Sequence, residues 1–364
     1  MNSVRRKRIV VKIGTGVLTS GVGCLELGKM GALCAQIAEA RRRGVEVILV
    51  SSGAVGLGMG RLGLKSRPKD IRKVQMCAAV GQGKLIQTWS ELFEPFGISA
   101  AQILLVRDDV DVPSRYKALR ELLDELLKAG VVPVINENDC LSAAELNMKF
   151  GDNDVLSSLV AALSKSDALM ILSTANGLLD MHGSGEMVKV VEKITPEIRA
   201  MAGGTQSATA VGGMITKIKA AEIATGSGCD VYIARGDADN VLIDILDGKN
   251  PGTQFCASKT EGEISSKKRW LAYFGRTISK IMVDSGAAKA LREKGSSLLP
   301  AGVRAVSGKF SKGAMVEIVD EATGAVVARG LAEIDSAELN SMREHEGRCS
   351  HRDVVVHRDN MALV

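Results

Sequence analysis

Seven side chains of one chemical character form two short clusters in this chain of 364 residues, Asn136-Glu137-Asn138-Asp139 and Asp152-Asn153-Asp154 after Gly151. Four are carboxylates and three are amides. A single residue of this kind caps a helix. Two clusters point past a cap, toward a polar pocket that grips a small charged molecule, Mg²⁺, or both. The apolar run 131–135 ahead of them reads as a buried strand, and 155–163 behind them as an apolar helix. Open α/β sheets bind ligands beyond the carboxyl ends of their strands, where helix N-termini offer free N–H groups.

Positive charge is placed with equal economy. The apolar strand 9–13 is interrupted by Lys12 and followed by Gly14-Thr15-Gly16. A lysine in a buried parallel strand is costly unless an anion meets it, although at a strand's end it can also snorkel. The glycines let backbone approach a ligand, so together they read as a phosphate corner. Residues 203–214 are rich in Gly, Ser and Thr and open a helix bearing Lys217 and Lys219. That suits a nucleotide's phosphates; the plainer alternative is a solvated basic helix start. Ser51-Ser52-Gly53-Ala54 ends a further strand on the same rim. Two tempting patterns fail. Gly58-x-Gly60-x-x-Gly63 starts eight residues past its strand and lacks the acidic partner, and Gly83-Lys84 is followed by Leu85 where a P-loop needs Ser or Thr.

The elements that must position these groups alternate. Strands are expected at 9–13, 45–50, 98–106, 131–135, 168–172 and 229–234, and helices at 27–43 (stopped by Gly44), Ile71–Phe93, 115–128 and 155–163. Alternation up to about residue 257 predicts an α/β class, a three-layer sandwich on a mostly parallel sheet. Residues 258–275 are polar and charged and read as a linker. From 276 to 364 the segments shorten, and 316–319 and 326–328 look like strands of a small β-rich domain.

Composition narrows the function classes. Hydrophobic residues make up 46% and aromatics 3%, which fits a globular chain and argues against base stacking on nucleic acid. The net charge of +5 admits an anionic substrate without demanding a polyanion. Thirteen basic and twelve acidic residues follow position 274, so the charge there gives no support to RNA binding. Seven scattered cysteines without a C-x-x-C pair read as a reduced, cytoplasmic pattern without a zinc site. The four histidines all lie at or after His182, so no metal bound by protein ligands is expected in the first half. No stretch approaches the roughly 20 apolar residues of a membrane span, and the basic start at Arg5-Arg6-Lys7-Arg8 is not followed by an unbroken apolar run.

Taken together, Val10-Val11-Lys12-Ile13-Gly14-Thr15, Ser51-Ser52-Gly53-Ala54, Ile135-Asn136-Glu137-Asn138-Asp139, Gly151-Asp152-Asn153-Asp154 and Gly212-Gly213-Met214-x-Thr216-Lys217 resemble the bacterial glutamate 5-kinases (gamma-glutamyl kinases), of the amino-acid kinase fold. The tail, with Val283-Asp284-Ser285-Gly286-Ala287, Gly295-Ser296-Ser297-Leu298-Leu299-Pro300 and Gly308-x-Phe310-x-x-Gly313, looks like the PUA domain many members carry.

The resemblance implies Mg²⁺- and ATP-dependent phosphorylation of the L-glutamate side-chain carboxylate, the first step toward proline. It assigns Lys12 and Lys217 to the transferring phosphoryl group and Asp154 to orienting both. Ser52, Gly53, Asp139, Asp152 and Asn153 would hold glutamate. Lys12, Gly14, Thr15, Ser173, Thr174 and the segment Val211, Gly212, Gly213, Met214, Ile215, Thr216 and Lys217 would hold ATP. It further implies a homodimer or homotetramer, proline as feedback inhibitor and a gamma-glutamyl phosphate reductase as partner. Ser173-Thr174 and Val211 depart from the family's usual Thr-Asp and Thr, which touches the nucleotide side more than the chemistry. Alternatives are another kinase of the fold, acting on N-acetylglutamate, carbamate, UMP or an isoprenoid phosphate, and an RNA-binding PUA protein with an idle kinase core.

Overall fold

The apolar runs of the first half become the strands of one sheet. The computed structural model describes residues 7–141, 152–180, 183–202, 213–258, 266–274, 279–344 and 354–363. Two compact units result, one built from Met1–Val110 and Ser114–Glu261, the other essentially from Gly262–Val364.

In the first unit the strands are β1 (Arg8–Ile13), β2 (Glu46–Ser51), β3 (Ala100–Leu105), β4 (Val132–Glu137), β5 (Ala168–Ser173), β6 (Val190–Val191), β7 (Asp230–Arg235) and β8 (Thr253–Phe255). Among the described residues they form one sheet in the order β3-β4-β2-β1-β5-β7-β8-β6. All neighbours are parallel except the β7–β8 pair. The main helices are α1 (Leu27–Arg42), α2 (Ala54–Arg61), α3 (Ile71–Phe93), α4 (Pro113–Lys128), α5 (Asn153–Ser164), α6 (Met214–Gly226) and α7 (Val241–Leu246). Ile9, Val11 and Ile13 pack with α1, α3 and α7 on one face. Val10 and Lys12 point to the other, where α5 and α6 lie. With both faces covered, the central strands are buried along nearly their whole length, as a parallel sheet requires.

Two boundaries differ from the sequence reading in a way that matters. The strand expected at 131–135 continues through Glu137, with Asn136 and Glu137 paired to Leu104 and Leu105 of β3. Polar side chains there ride on the strand's end, because the ladder with β3 continues to satisfy the backbone. The expected linker 258–275 contains a helix, α8 (Ser266–Tyr273), which buries Trp270 and Leu271, with Phe274 just past its end, and packs against the second unit's sheet. The charged residues masked this apolar stripe, whose spacing of one and four residues is helical.

Gly58 of the rejected fingerprint, with Gly81 opposite it, serves packing. A Cβ on Gly58 would stand 1.8 Å from the Cys77 carbonyl oxygen, and one on Gly81 would stand 1.8 Å from that of Ala54. α2 and α3 therefore touch backbone to backbone. The second unit holds β9 (Ser279–Val283), β10 (Val303–Ser307), β11 (Met315–Asp320), β12 (Val326–Ala332) and β13 (Val356–Leu363) in a separate, mostly antiparallel sheet, ordered β10-β9-β11-β12-β13. α9 (Ser285–Lys294) and α10 (Ser336–Glu344) supply Leu291 and Leu339 to its core.

Candidate active site

The ends of β4, β2, β1 and β5 lie side by side at one edge of the sheet, and α5 begins there. Asp152 caps α5 by accepting from the Asp154 N–H at 3.1 Å, and the two residues after the cap then reach in different directions. Asp154 turns toward β1 and α6. Lys12 Nζ stands 2.5 Å from its Oδ1, a close ion pair, and Lys217 Nζ donates to its Oδ2 at 3.0 Å. Thr216 Oγ1 adds a hydrogen bond to the same oxygen at 3.2 Å. Exposures of 4%, 6% and 0% for Lys12, Lys217 and Asp154 put the three charges out of bulk solvent. Burial alone pushes the Asp154 carboxyl up, but the two ammonium groups outweigh it and hold the carboxyl below the usual aspartate range. One carboxylate thus carries two ammonium groups, and the cluster keeps an excess positive charge where desolvation makes charge most effective.

Asn153 turns the other way, to β2 and β4. Its Nδ2 donates to Ser52 Oγ at 2.7 Å and to Asn136 Oδ1 at 3.0 Å. Asn136 Nδ2 in turn donates to Gln82 Oε1 on α3 at 2.9 Å. Trp89, two turns further along α3, donates to Ser51 Oγ at 2.9 Å. The outcome of this network is two buried oxygens, Asn153 Oδ1 and Asp152 Oδ2, with no hydrogen-bond partner among the described residues. Buried polar atoms are nearly always satisfied, so a pair of orphaned acceptors beside a cationic cluster is what a ligand with donor groups would complete.

Of the residues singled out from sequence, Lys12, Lys217 and Asp154 meet in one cluster, and Ser52, Asp152 and Asn153 lie beside it. Gly53, with φ of 112°, makes the left-handed turn into α2 that a side chain would strain. Asp139 is half-buried in the turn after β4. On the nucleotide side, the Gly14 N–H donates to the Leu172 carbonyl at 2.9 Å, tying the start of the short helix Thr15–Leu18 to the end of β5. Ser173 is buried, accepting from the Ala175 N–H, while Thr174 is exposed with its methyl close to Gly16. Gly213 precedes α6 without a side-chain cap, and Met214 and Ile215 open that helix with Ile215 exposed. Gly151, Val211 and Gly212 lie outside the described residues.

Sequence reasoning missed Gln82 and Trp89 as members of the site, and missed that Thr216 reaches Asp154. A faint signal existed for Gln82. It falls on the face of α3 that Ala78, Leu85 and Trp89 bury. Among the described residues no group of three or more His, Cys, Asp or Glu side chains is arranged to hold a metal ion. Mg²⁺ needs no such cage when it arrives on a nucleotide, since phosphates, water and one or two carboxylates complete its octahedron. No helix among the described residues is long and apolar enough to cross a membrane.

A buried lysine pair on one aspartate, at the carboxyl edge of a mostly parallel sheet, gathers positive charge where an anionic group could bind. Residues 7–235 match the amino acid kinase family and residues 279–352 the PUA domain. The chain belongs to the amino acid kinase family. Within it, the chain is similar to glutamate 5-kinases over nearly its whole length. It is 42% identical to that of Moorella thermoacetica and 43% identical to that of Myxococcus xanthus, each across 98% of this chain and 96% of the relative. The solved carbamate kinase from Giardia lamblia bound to AMP-PNP shares the fold, with a TM-score of 0.51 at 18% identity over 70% of this chain and 100% of that one.

Proposed function

We propose that this chain transfers the γ-phosphoryl group of Mg²⁺·ATP to the side-chain carboxylate of L-glutamate, giving L-glutamyl 5-phosphate. The observation that carries this reading is the buried cluster of Lys12 and Lys217 on Asp154, immediately beside the orphaned acceptors of Asp152 and Asn153. The first half of the site gathers negative charge and the second seeks a donor. Glutamate brings a carboxylate to one and an ammonium group to the other.

A carboxylate with a reference pKa near 4.3 is already ionised at neutral pH, so the nucleophile requires no general base. The site meets that with no histidine among its residues. What the step needs is in-line placement and positive charge over the equatorial oxygens of the transferred group. Lys12 and Lys217 supply the charge, and Asp154 holds both ammonium groups at fixed positions without neutralising them. Mg²⁺ bound to the nucleotide's own phosphates would offset part of their charge, without a cage of protein ligands. Gly14, Thr15, Ser173, Thr174, Gly213, Met214, Ile215 and Thr216 form the nucleotide side. Ser52, Gly53, Asp139, Asp152 and Asn153 form the amino-acid side.

The remaining expectations rest on the resemblance: a homo-oligomer, a reduced cytoplasmic setting, inhibition by proline, and a reductase that consumes the reactive acyl phosphate as part of proline biosynthesis. We likewise take 1–257 as the catalytic domain, with its PUA domain after residue 275. The decisive experiment is ADP release and hydroxamate trapping with Mg²⁺·ATP against L-glutamate, L-aspartate, N-acetylglutamate, carbamate and UMP. Hydroxamate formed with L-glutamate and not with N-acetylglutamate is expected. Turnover of N-acetylglutamate with none of L-glutamate would overturn the reading.

A further inference from the structure

The side chains that meet the acceptor site are amides, and an amide can face a ligand in two chemically opposite senses. Asn153 could offer an oxygen or an NH₂ group; only the first suits an ammonium group. Gln82 holds the key to the choice. It is 8% exposed, sits on α3 and is not among the residues assigned to either substrate. Its Oε1 takes a hydrogen from Asn136 Nδ2 at 2.9 Å, which commits the NH₂ end of Asn136 to α3. Asn136 therefore presents Oδ1 to α5, where Asn153 Nδ2 meets it at 3.0 Å. The second hydrogen of Asn153 Nδ2 goes to Ser52 Oγ at 2.7 Å, with the Ser51 carbonyl oxygen a longer acceptor at 3.4 Å. With its hydrogens spent, Asn153 leaves its Oδ1 buried and, among the described residues, without a partner, as is Oδ2 of the adjoining Asp152. Turning any one amide over would set oxygen against oxygen or NH₂ against NH₂ at the next link, so the sense propagates along the chain of amides.

We infer that Gln82 is a specificity-determining positioning residue: through Asn136 it fixes the sense of the Asn153 amide, so that Asn153 presents an acceptor beside the Asp152 carboxylate and favours a substrate bearing a cationic amino group. This rests on the glutamate reading for the identity of the substrate, while the amide relay itself is a property of the fold. Without the Gln82 acceptor, Asn136 is released to present either end, Asn153 follows, and an NH₂ group enters the site for part of the time. Binding of the ammonium group then weakens while the carboxylate contacts remain.

The test compares L-glutamate with glutarate, the same dicarboxylate without the amino group. For the wild-type chain and for Gln82→Met and Gln82→Glu, KM is measured for L-glutamate and for ATP, along with Ki for glutarate as a competitor. Gln82→Met keeps the volume and removes the acceptor. It is expected to lower the ratio of glutarate Ki to glutamate KM by about tenfold or more, the scale of one hydrogen bond to a charged group, with the KM for ATP unchanged. Gln82→Glu offers Asn136 only oxygens and is expected to hold the ratio within about threefold, well under the step a charged-group hydrogen bond produces. Should Gln82→Met fail to fold, Asn136→Asp replaces it: an oxygen still faces Asn153, so the ratio is expected to stay near that of the wild type. An unchanged ratio in Gln82→Met, or loss of the ratio in Gln82→Glu or Asn136→Asp in a folded protein with normal ATP KM, overturns the inference. Absence of any L-glutamate turnover by the wild-type chain overturns the substrate reading instead, before the variants are compared.

Discussion

Replacing Lys217 by methionine separates the chemistry of the cluster from its contribution to the fold. In the native chain Asp154 carries two ammonium groups, at 2.5 Å from Lys12 and 3.0 Å from Lys217. Removing one leaves Asp154 still paired with Lys12 and still accepting from Thr216. No buried charge is stranded, so the loss of several kcal/mol that follows when a buried pair is broken one-sidedly should not appear. The transition state fares differently, since one of its two cationic contacts is gone. Loss of a single aligned contact of this kind costs roughly 10²–10³ in kcat, about 2.7–4 kcal/mol. Asn153 bonds Ser52 and Asn136, so the substitution should leave the ammonium side of the glutamate site intact. The assay is steady-state ADP release beside a thermal melt. A folded Lys217→Met chain with kcat within about tenfold of wild type, short of even one lost contact, would remove this lysine from the mechanism.

Asp154→Asn reverses the pattern, because it strands two buried ammonium groups; both kcat and melting temperature should fall, and the melt should drop by more than in Lys217→Met. Because the folded-state carboxyl lies below its ordinary value, its stabilising effect is complete above the ordinary aspartate pKa of about 3.9 and is lost only as pH falls through the lower folded value. The gap in melting temperature between wild type and Asp154→Asn should stay flat from pH 8 to pH 5 and close only in stronger acid; closure near pH 6 would contradict the ion-pair account. Gly58→Ala would drive a methyl against the Cys77 carbonyl and should cost at least about 1–3 kcal/mol of stability, read by urea unfolding; a neutral effect would mean that α2 and α3 can separate freely. Burial pushes the Cys34 thiol up to about 12, so maleimide at pH 8 should label the exposed Cys24 and spare Cys34 until the chain is denatured, as peptide mapping would reveal.

How much of this was legible in the sequence depended on the range over which each signal acts. Short-range signals read well. Lys12 stood out because a charge in an apolar strand is anomalous on its own, and α3 took the bounds Ile71–Phe93 that its periodicity implied. Gly44, beyond α1, adopts the left-handed conformation expected after a helix. The cap at Asp152 could be read from three consecutive letters. Signals that depend on tertiary partners did not read. Gln82 and Asn136 lie 54 positions apart, and Asn153 and Ser52 lie 101 apart. Asn136 and Asn153 stood in polar clusters that already suggested a pocket, but Gln82 taken singly is indistinguishable from a surface residue, and only the sheet order makes the three neighbours. The helix at Ser266–Tyr273 was hidden for the opposite reason, since a charged local composition outweighed three apolar residues whose burial depends on a sheet folded from later sequence.

The two halves of the site meet in a single helical turn, and that constrains how they can vary. Asp152 closes the N-terminus of α5, Asn153 reaches β2 and β4, and Asp154 reaches β1 and α6. Consecutive residues at a helix start point about 100° apart, which lets one turn serve an acceptor site on one side and a cationic cluster on the other. The geometry between a bound ammonium group and the transferring phosphoryl group is then set by the pitch of a helix whose every residue from Asp154 to Ser164 is buried. A rigid element of that kind holds reacting groups more closely than a loop can. A substitution that shifts α5 along its axis should therefore move glutamate affinity and kcat together, whereas one confined to Lys217 or to Gln82 should move only one of them.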